Sequence, residues 1–112
     1  MSKKRYEIIC SAYDRRGRLI CSAVNSYKDS SALMRYYAMK VGKPYCKWNH
    51  AEISCLDKAM KLRKVVDKLV IIRYDCFGNL KDCMPCIICR YAIKDFNIKM
   101  VMYSTEMGMK RL

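Results

Sequence analysis

Four residues of the 112-residue chain have types and spacings that can do chemistry together. Cys86 and Cys89 stand three apart, directly after Pro85. A proline costs little in the first turn of a helix, so Pro85 predicts that a helix opens here. On a helix, residues three apart share a face and lean toward its N-terminus. There the helix dipole and free backbone N–H groups favour thiolate over thiol, and thiolate is the metal-binding form. The sole histidine, His50, and Glu52 open the preceding amphipathic stretch. One imidazole and two thiolates suit zinc, and three protein ligands leave a fourth tetrahedral position for water, as in catalytic sites. A carboxylate beside such a site can carry protons.

The spacing sets a condition. In mid-helix, residues two apart diverge by about 200°. His50 and Glu52 can therefore serve one pocket only from the first turn of their helix. Each half-motif is weak alone: a single C-x-x-C is common, and a lone histidine is often an ordinary surface residue. Cys83-x-x-Cys86-x-x-Cys89 also matches part of an iron–sulfur run, but that run expects a further cysteine where Ile93 stands. Cys83 could replace one ligand, yet it lies before Pro85, outside the predicted helix mouth, and ranks below the other three.

The elements that must position these residues can be read from pattern. Tyr6 to Tyr13 reads as a strand, Asp14 to Arg18 as a hairpin turn, and Leu19 to Val24 as its partner strand. Asp29-Ser30-Ser31 can cap a helix carrying Leu33, Met34, Tyr37, Ala38 and Val41, stopped by Gly42 and Pro44. Tyr45 to Asn49 reads as a loop. A second helix is predicted from His50 to Leu62, with Ile53, Leu56 and Met60 on one face. Leu69 to Tyr74 is a strand, Phe77-Gly78-Asn79 a turn, and Pro85 opens a third helix with Ile88, Tyr91 and Ala92 on one face. Ile98 to Tyr103 is a last strong strand. Ser104 to Leu112 reads as either a short extra strand or a tail. The order ββα-α-β-α-β implies an α/β sandwich around one mixed sheet.

Length and composition bound the rest. The chain is one domain's worth, 1–112, with loose termini expected at 1–5 and 109–112. No stretch is long and apolar enough to span a bilayer, and the basic start is not followed by a signal-peptide core. A soluble, cytoplasmic protein is expected (host cytoplasm if viral). Eight cysteines without an export signal point to reduced thiols and a metal site rather than a disulfide frame. The net charge of +13, from 23 basic and 10 acidic residues, favours anionic partners, of which nucleic acid is the commonest. Lys58, Lys61, Arg63, Lys64 and Lys68 cluster after the second helix, and Arg15, Arg16 and Arg18 crowd one turn.

At His50-Ala51-Glu52-Ile53 and Pro85-Cys86-Ile87-Ile88-Cys89 the chain resembles the cytidine deaminase-like superfamily, whose signature is H-x-E…P-C-x-x-C. Asn25, Arg73 and Met102-Tyr103-Ser104-Thr105 are supporting matches. The arrangement Asn25…Ala38…Val41-Gly42…His50-Ala51-Glu52 is similar to small deaminase-domain proteins of phages. The resemblance implies a minimal version of that three-layer fold, with Zn2+ held by His50, Cys86 and Cys89 and Glu52 as proton shuttle. It also implies Asn25 and the backbone around Ala51 as substrate contacts, and relatives commonly form homo-oligomers. Trp48 and Tyr103 are candidates for stacking on the base. Met84 departs from the Ser or Glu that many relatives carry before the proline, which leaves the subfamily and the base open.

Three functions fit. The first is hydrolytic deamination of cytosine, less readily adenine, in single-stranded nucleic acid. The second is deamination of a free cytidine nucleotide such as dCMP. The third is a zinc-stabilised nucleic-acid-binding module with no activity, against which Glu52 argues, since a purely structural site needs no carboxylate there.

Overall fold

A computed structural model describes residues 7–26, 31–43 and 49–112. The chain opens with the hairpin β1 (Glu7–Tyr13) and β2 (Leu19–Val24), paired antiparallel from Ile9↔Val24 to Tyr13↔Leu19. The Asp14 carboxylate accepts from the backbone N–H groups of Arg16 and Arg18, both at 2.9 Å, and Gly17 takes φ 79° to close the turn.

Helix α1 (Ala32–Lys40) is capped by Ser31, whose hydroxyl accepts from the N–H of Met34 at 3.2 Å. Of the expected cap residues, Asp29 and Ser30 lie outside the described residues, as do Pro44 and the segment 45–48. Gly42, at φ 76°, ends α1 as expected of a residue free to adopt that conformation. Helix α2 (Ala51–Lys61) follows, with Ile53 and Leu56 fully buried. Met60 shares their face by helical spacing but lies in the last turn and is 48% exposed. The buried stripe runs through Glu52, Cys55, Leu56 and Ala59, at helical i, i+3, i+4 and i+7 spacing.

Strand β3 (Lys68–Tyr74) pairs antiparallel with β1, from Lys68↔Tyr13 to Tyr74↔Glu7. A tight turn around Asp75 then returns the chain as the two-residue strand β4 (Leu80–Lys81), too short to leave a sequence pattern. Helix α3 (Ile87–Asp95) begins later than Pro85 predicts: Cys86 is its N-cap and the proline sits one residue before the cap. Ile88 and Ala92 are buried, while Tyr91 is largely exposed beside Tyr37, their ring centroids 6.0 Å apart. Strand β5 (Met100–Thr105) starts two residues after the expected Ile98, because Asn97 at φ 60° and the Ile98 N–H bond to Ile93 belong to the helix end. Gly108–Arg111 forms the strand β6 rather than a tail, antiparallel to β5.

The sheet order is β2-β1-β3-β5-β6, with β4 paired to β3 and only β3 and β5 parallel. This is the mixed sheet with helices that the element order implied. Its strand alternation puts Cys10, Ala12, Ala23, Leu69, Ile71, Val101 and Tyr103 on one buried face, in the same core cluster as residues of all three helices. The register also gives the sheet two distinct ends. Tyr13, Leu19, Lys68 and Met100 share one end; Glu7, Val24, Tyr74 and Ser104 share the other. Helices α2 and α3 each start at the second end and lead back to the first.

Candidate active site

At the second end of the sheet lies a cavity of about 260 Å³, lined by residues that include Ile8, Asn25, Asn49, His50, Glu52, Arg73, Cys83 and Cys86. His50 is the N-cap of α2, at φ −80° and ψ 146°, and its carbonyl accepts the first helical bond from Ser54 at 3.0 Å. Glu52 is the second helical residue and only 6% exposed. The condition set by their spacing is therefore met: outside the regular helix, His50 can turn toward the same cavity as Glu52.

Cys86 is likewise an N-cap, of α3, and Cys89 sits in that helix's first turn. Nδ1 of His50 lies 3.3 Å from Sγ of Cys89 and 3.4 Å from Sγ of Cys86, and the three ligand atoms all lie within 4.8 Å of one another. A tetrahedral zinc, with bonds of about 2.3 Å to sulfur and about 2.0 Å to nitrogen, sets neighbouring N and S donors roughly 3.5 Å apart. The donor set fits that ion in type and spacing.

The electrostatics follow the same contacts. The Cys86 thiol is drawn down to about 4, first by the hydrogen bond from Cys89, with burial opposing and His50 assisting. Cys89 is pushed well above the ordinary thiol value, first by that same bond and then by burial. Its proton is thus shared toward a neighbouring thiolate, and metal binding displaces such protons. His50 is raised, mainly by its hydrogen bond to Cys86 against the opposing effect of burial. Burial raises Glu52, opposed by a backbone hydrogen bond and by His50. Cys83 is pushed to about 12, first by burial, and is not among the three clustered ligand atoms.

The remaining expected residues fall in different places. Asn25 lines the cavity, and its Oδ1 accepts from the N–H of Ile8 at 2.9 Å while its own N–H donates to the Ile8 carbonyl at 3.1 Å. Its Nδ2 has no partner among the described residues. Ala51 is fully buried in the first turn of α2, between His50 and Glu52. Tyr103 is not at the cavity wall: it is 8% exposed and packed in the core, because its strand position alternates onto the buried face with Ile71. Trp48 lies outside the described residues. The two basic clusters are not at the cavity either. The Arg15–Arg18 turn follows Tyr13, and the cluster after α2 leads into Lys68, so both sit at the opposite end of the sheet.

Two further residues line the cavity: Asn49, which the sequence placed only in a loop, and Arg73, a supporting match to which the sequence assigned no place at the site. Asn49 precedes His50, exchanges backbone hydrogen bonds with Ser26 at 3.0 Å, and accepts from the Ser31 N–H at 2.6 Å through Oδ1, which fixes the entry to α2. Arg73 is the third inward-facing position of β3, after Leu69 and Ile71, and its Nη1 donates to the Asp82 carbonyl at 3.2 Å. The signal for Arg73 was the period-two alternation itself, which places a cation on an otherwise apolar face.

A mixed sheet presenting two helix N-termini, with one histidine, two cysteines and a buried glutamate converging on a cavity, defines a zinc-dependent hydrolase of the deaminase class. The chain belongs to the cytidine and deoxycytidylate deaminase zinc-binding region family, whose model matches residues 2–105. His50, Cys86 and Cys89 form its zinc site. No sequence among curated proteins matches the chain. Among solved structures it is similar to the cytidine deaminase of Mycobacterium leprae, with TM-score 0.59 and 18% identity over 95% of this chain and 74% of that one. It is similar too to the cytidine deaminase of Mycobacterium tuberculosis, with TM-score 0.59 and 15% identity over 96% of this chain and 72% of that one. At such identities the likeness concerns the fold. Family membership and the His/Cys/Cys site make the protein a zinc-dependent cytidine/deoxycytidylate-type deaminase acting on C–N bonds. Among the described residues, no helix is long and apolar enough to cross a membrane.

Proposed function

We propose that the chain converts cytosine to uracil within single-stranded nucleic acid, with Glu52 as the proton carrier. When bound, zinc supplies an activated water near neutral pH. The rest is done by the chain's own groups. The Glu52 carboxylate takes the proton of the attacking water and delivers it to the ring nitrogen beside the amino-bearing carbon. It then takes the proton of the newly attached hydroxyl and passes it to the amino group, so the C–N bond breaks, ammonia leaves and the carbonyl of uracil forms. In this reading Asn25 Nδ2 and the backbone at Ala51 hold the base or sugar, which the place of Asn25 on the cavity wall supports. The observation that carries the polymer reading is the charge, +13, since a mononucleotide phosphate needs only one or two cations.

Arg73 favours a second reading, a free nucleotide such as dCMP, because its guanidinium lines the cavity where a phosphate could be received. One experiment separates the two. The zinc-loaded protein is incubated with dCMP, cytidine, a single-stranded oligonucleotide and a structured RNA, and ammonia release and base change are measured. Turnover of the oligonucleotide is expected; turnover of dCMP alone would overturn the polymer reading.

A further inference from the structure

We propose that the end of the sheet remote from the cavity is a binding surface for the sugar–phosphate backbone of single-stranded nucleic acid. This inference extends the polymer reading by assigning the substrate a second point of attachment.

The surface is assembled by register, not by sequence proximity. The turn bearing Arg15 and Arg16 meets the start of β3 because Tyr13 pairs with Lys68. Arg63 and Lys64 arrive through the end of α2, whose C-terminal turn closes with Arg63 at φ 56°. Lys99 arrives through the α3–β5 connection, its N–H donating to the Asp67 carbonyl at 3.0 Å. Arg15, Arg16, Arg63, Lys64 and Lys99 are all exposed, and none has a salt-bridge partner among the described residues. The carboxylates at this end do not neutralise them: Asp14 is paired with Arg18 at 3.0 Å and Asp57 with Lys61 at 3.2 Å, and the half-buried Asp67 sets one negative charge against five cations.

Such a concentration of unpaired cations on one end of a small protein attracts polyanions. Its distance from the cavity decides which kind. Arg73 at the cavity wall and Lys68 at the basic end are five residues apart on β3, or about 17 Å at 3.3 Å per residue. No single nucleotide reaches both. At about 3.4 Å per phosphate along a stacked strand, a run of at least about six nucleotides does. A lipid surface would call for a broad apolar face among the cations, and among the described residues only the separate side chains of Leu19, Leu62 and Val65 are so exposed here. The surface would hold a strand without reading its sequence, while the cavity takes one base.

The test combines Arg15→Gln, Arg16→Gln, Lys64→Gln and Lys99→Gln in the zinc-loaded protein. Binding to an oligothymidylate of about 20 nucleotides, longer than the span above, is followed by fluorescence anisotropy across salt concentrations. Each lost phosphate contact should lower the slope of log K against log salt by about 0.7, so the variant's slope should fall by close to 3. Its affinity at about 0.1 M salt should drop at least tenfold. Zinc content and melting temperature should not change. An unchanged slope and affinity would overturn the proposal, as would capture of the native protein by anionic vesicles but not by the oligomer. Because the oligomer contains no cytosine, this result is independent of catalysis. Intact binding with no deamination of cytosine-bearing oligonucleotides would refute the catalytic reading alone.

Discussion

Replacing Glu52 by Gln isolates the proton carrier from the metal site. The side chain is 6% exposed in the first turn of α2, and glutamine has nearly its shape, so helix and cavity should be preserved. The three ligand atoms belong to other residues, so one zinc per chain should remain. Burial disfavours the ionised carboxylate, so its replacement by a neutral amide should not lower the melting temperature. Turnover should fall by the worth of general acid–base help, roughly 10² to 10⁴-fold, which is about 2.7 to 5.5 kcal/mol of barrier. Metal analysis, thermal melting and ammonia release on the same preparation separate these outcomes. Near-normal turnover with zinc retained would refute the assignment of Glu52. Loss of zinc would show instead that the carboxylate holds the metal or its cradle.

Removal of zinc by a chelator should abolish turnover and lower the melting temperature, and added zinc should restore both. With free zinc about a hundredfold above its dissociation constant the ion contributes about 2.7 kcal/mol, a shift of roughly 10 °C or more. Cys83→Ala should keep one zinc per chain, whereas Cys86→Ala should lose it; metal stoichiometry checks both, and zinc loss in the Cys83 variant would place that thiol among the ligands. Ser104→Ala should destabilise the cavity end by about 1–3 kcal/mol, because two backbone groups lose their partner. The fully buried Ser104 hydroxyl accepts from the Arg73 N–H at 2.9 Å and donates to the Lys81 carbonyl at 2.8 Å. An unchanged denaturation midpoint would show that this bridge is dispensable.

The parts of the molecule legible in sequence are those whose physics is local. His50, Glu52, Cys86 and Cys89 were readable because residue type and helix-start spacing constrain each other. The main strands and helices were readable from alternation and helical periodicity. What escaped needed knowledge of register. Arg73 becomes a cavity residue only once Leu69 and Ile71 are known to face inward. Tyr103 looked available for stacking because it ends an apolar run, yet its pairing with Ile71 turns it into the core. Where the two basic clusters sit relative to the cavity also needed the fold: α2 runs away from the cavity and carries one to the far end of the sheet, and the β1–β2 turn carries the other there.

Pro85 is instructive for a different reason. The sequence favours it inside the first turn of α3, but it stands before the cap, and Cys86 takes the capping position. His50 does the same for α2. Neither side chain makes the hydrogen bond to the helix that a cap ordinarily makes, in contrast to Ser31 on α1. An absent cap costs roughly 1 kcal/mol per helix. Here the cap position has another use. It lies off the helical screw, so it frees His50 from the divergence that would separate it from Glu52, and it lets Cys86 meet Cys89 across a single turn. The same two helix ends bring partial positive charge toward the thiolates. The local stability forgone at α2 and α3 is what allows three ligands and one carboxylate to face a single cavity, and metal binding to the folded state is the interaction that offsets it.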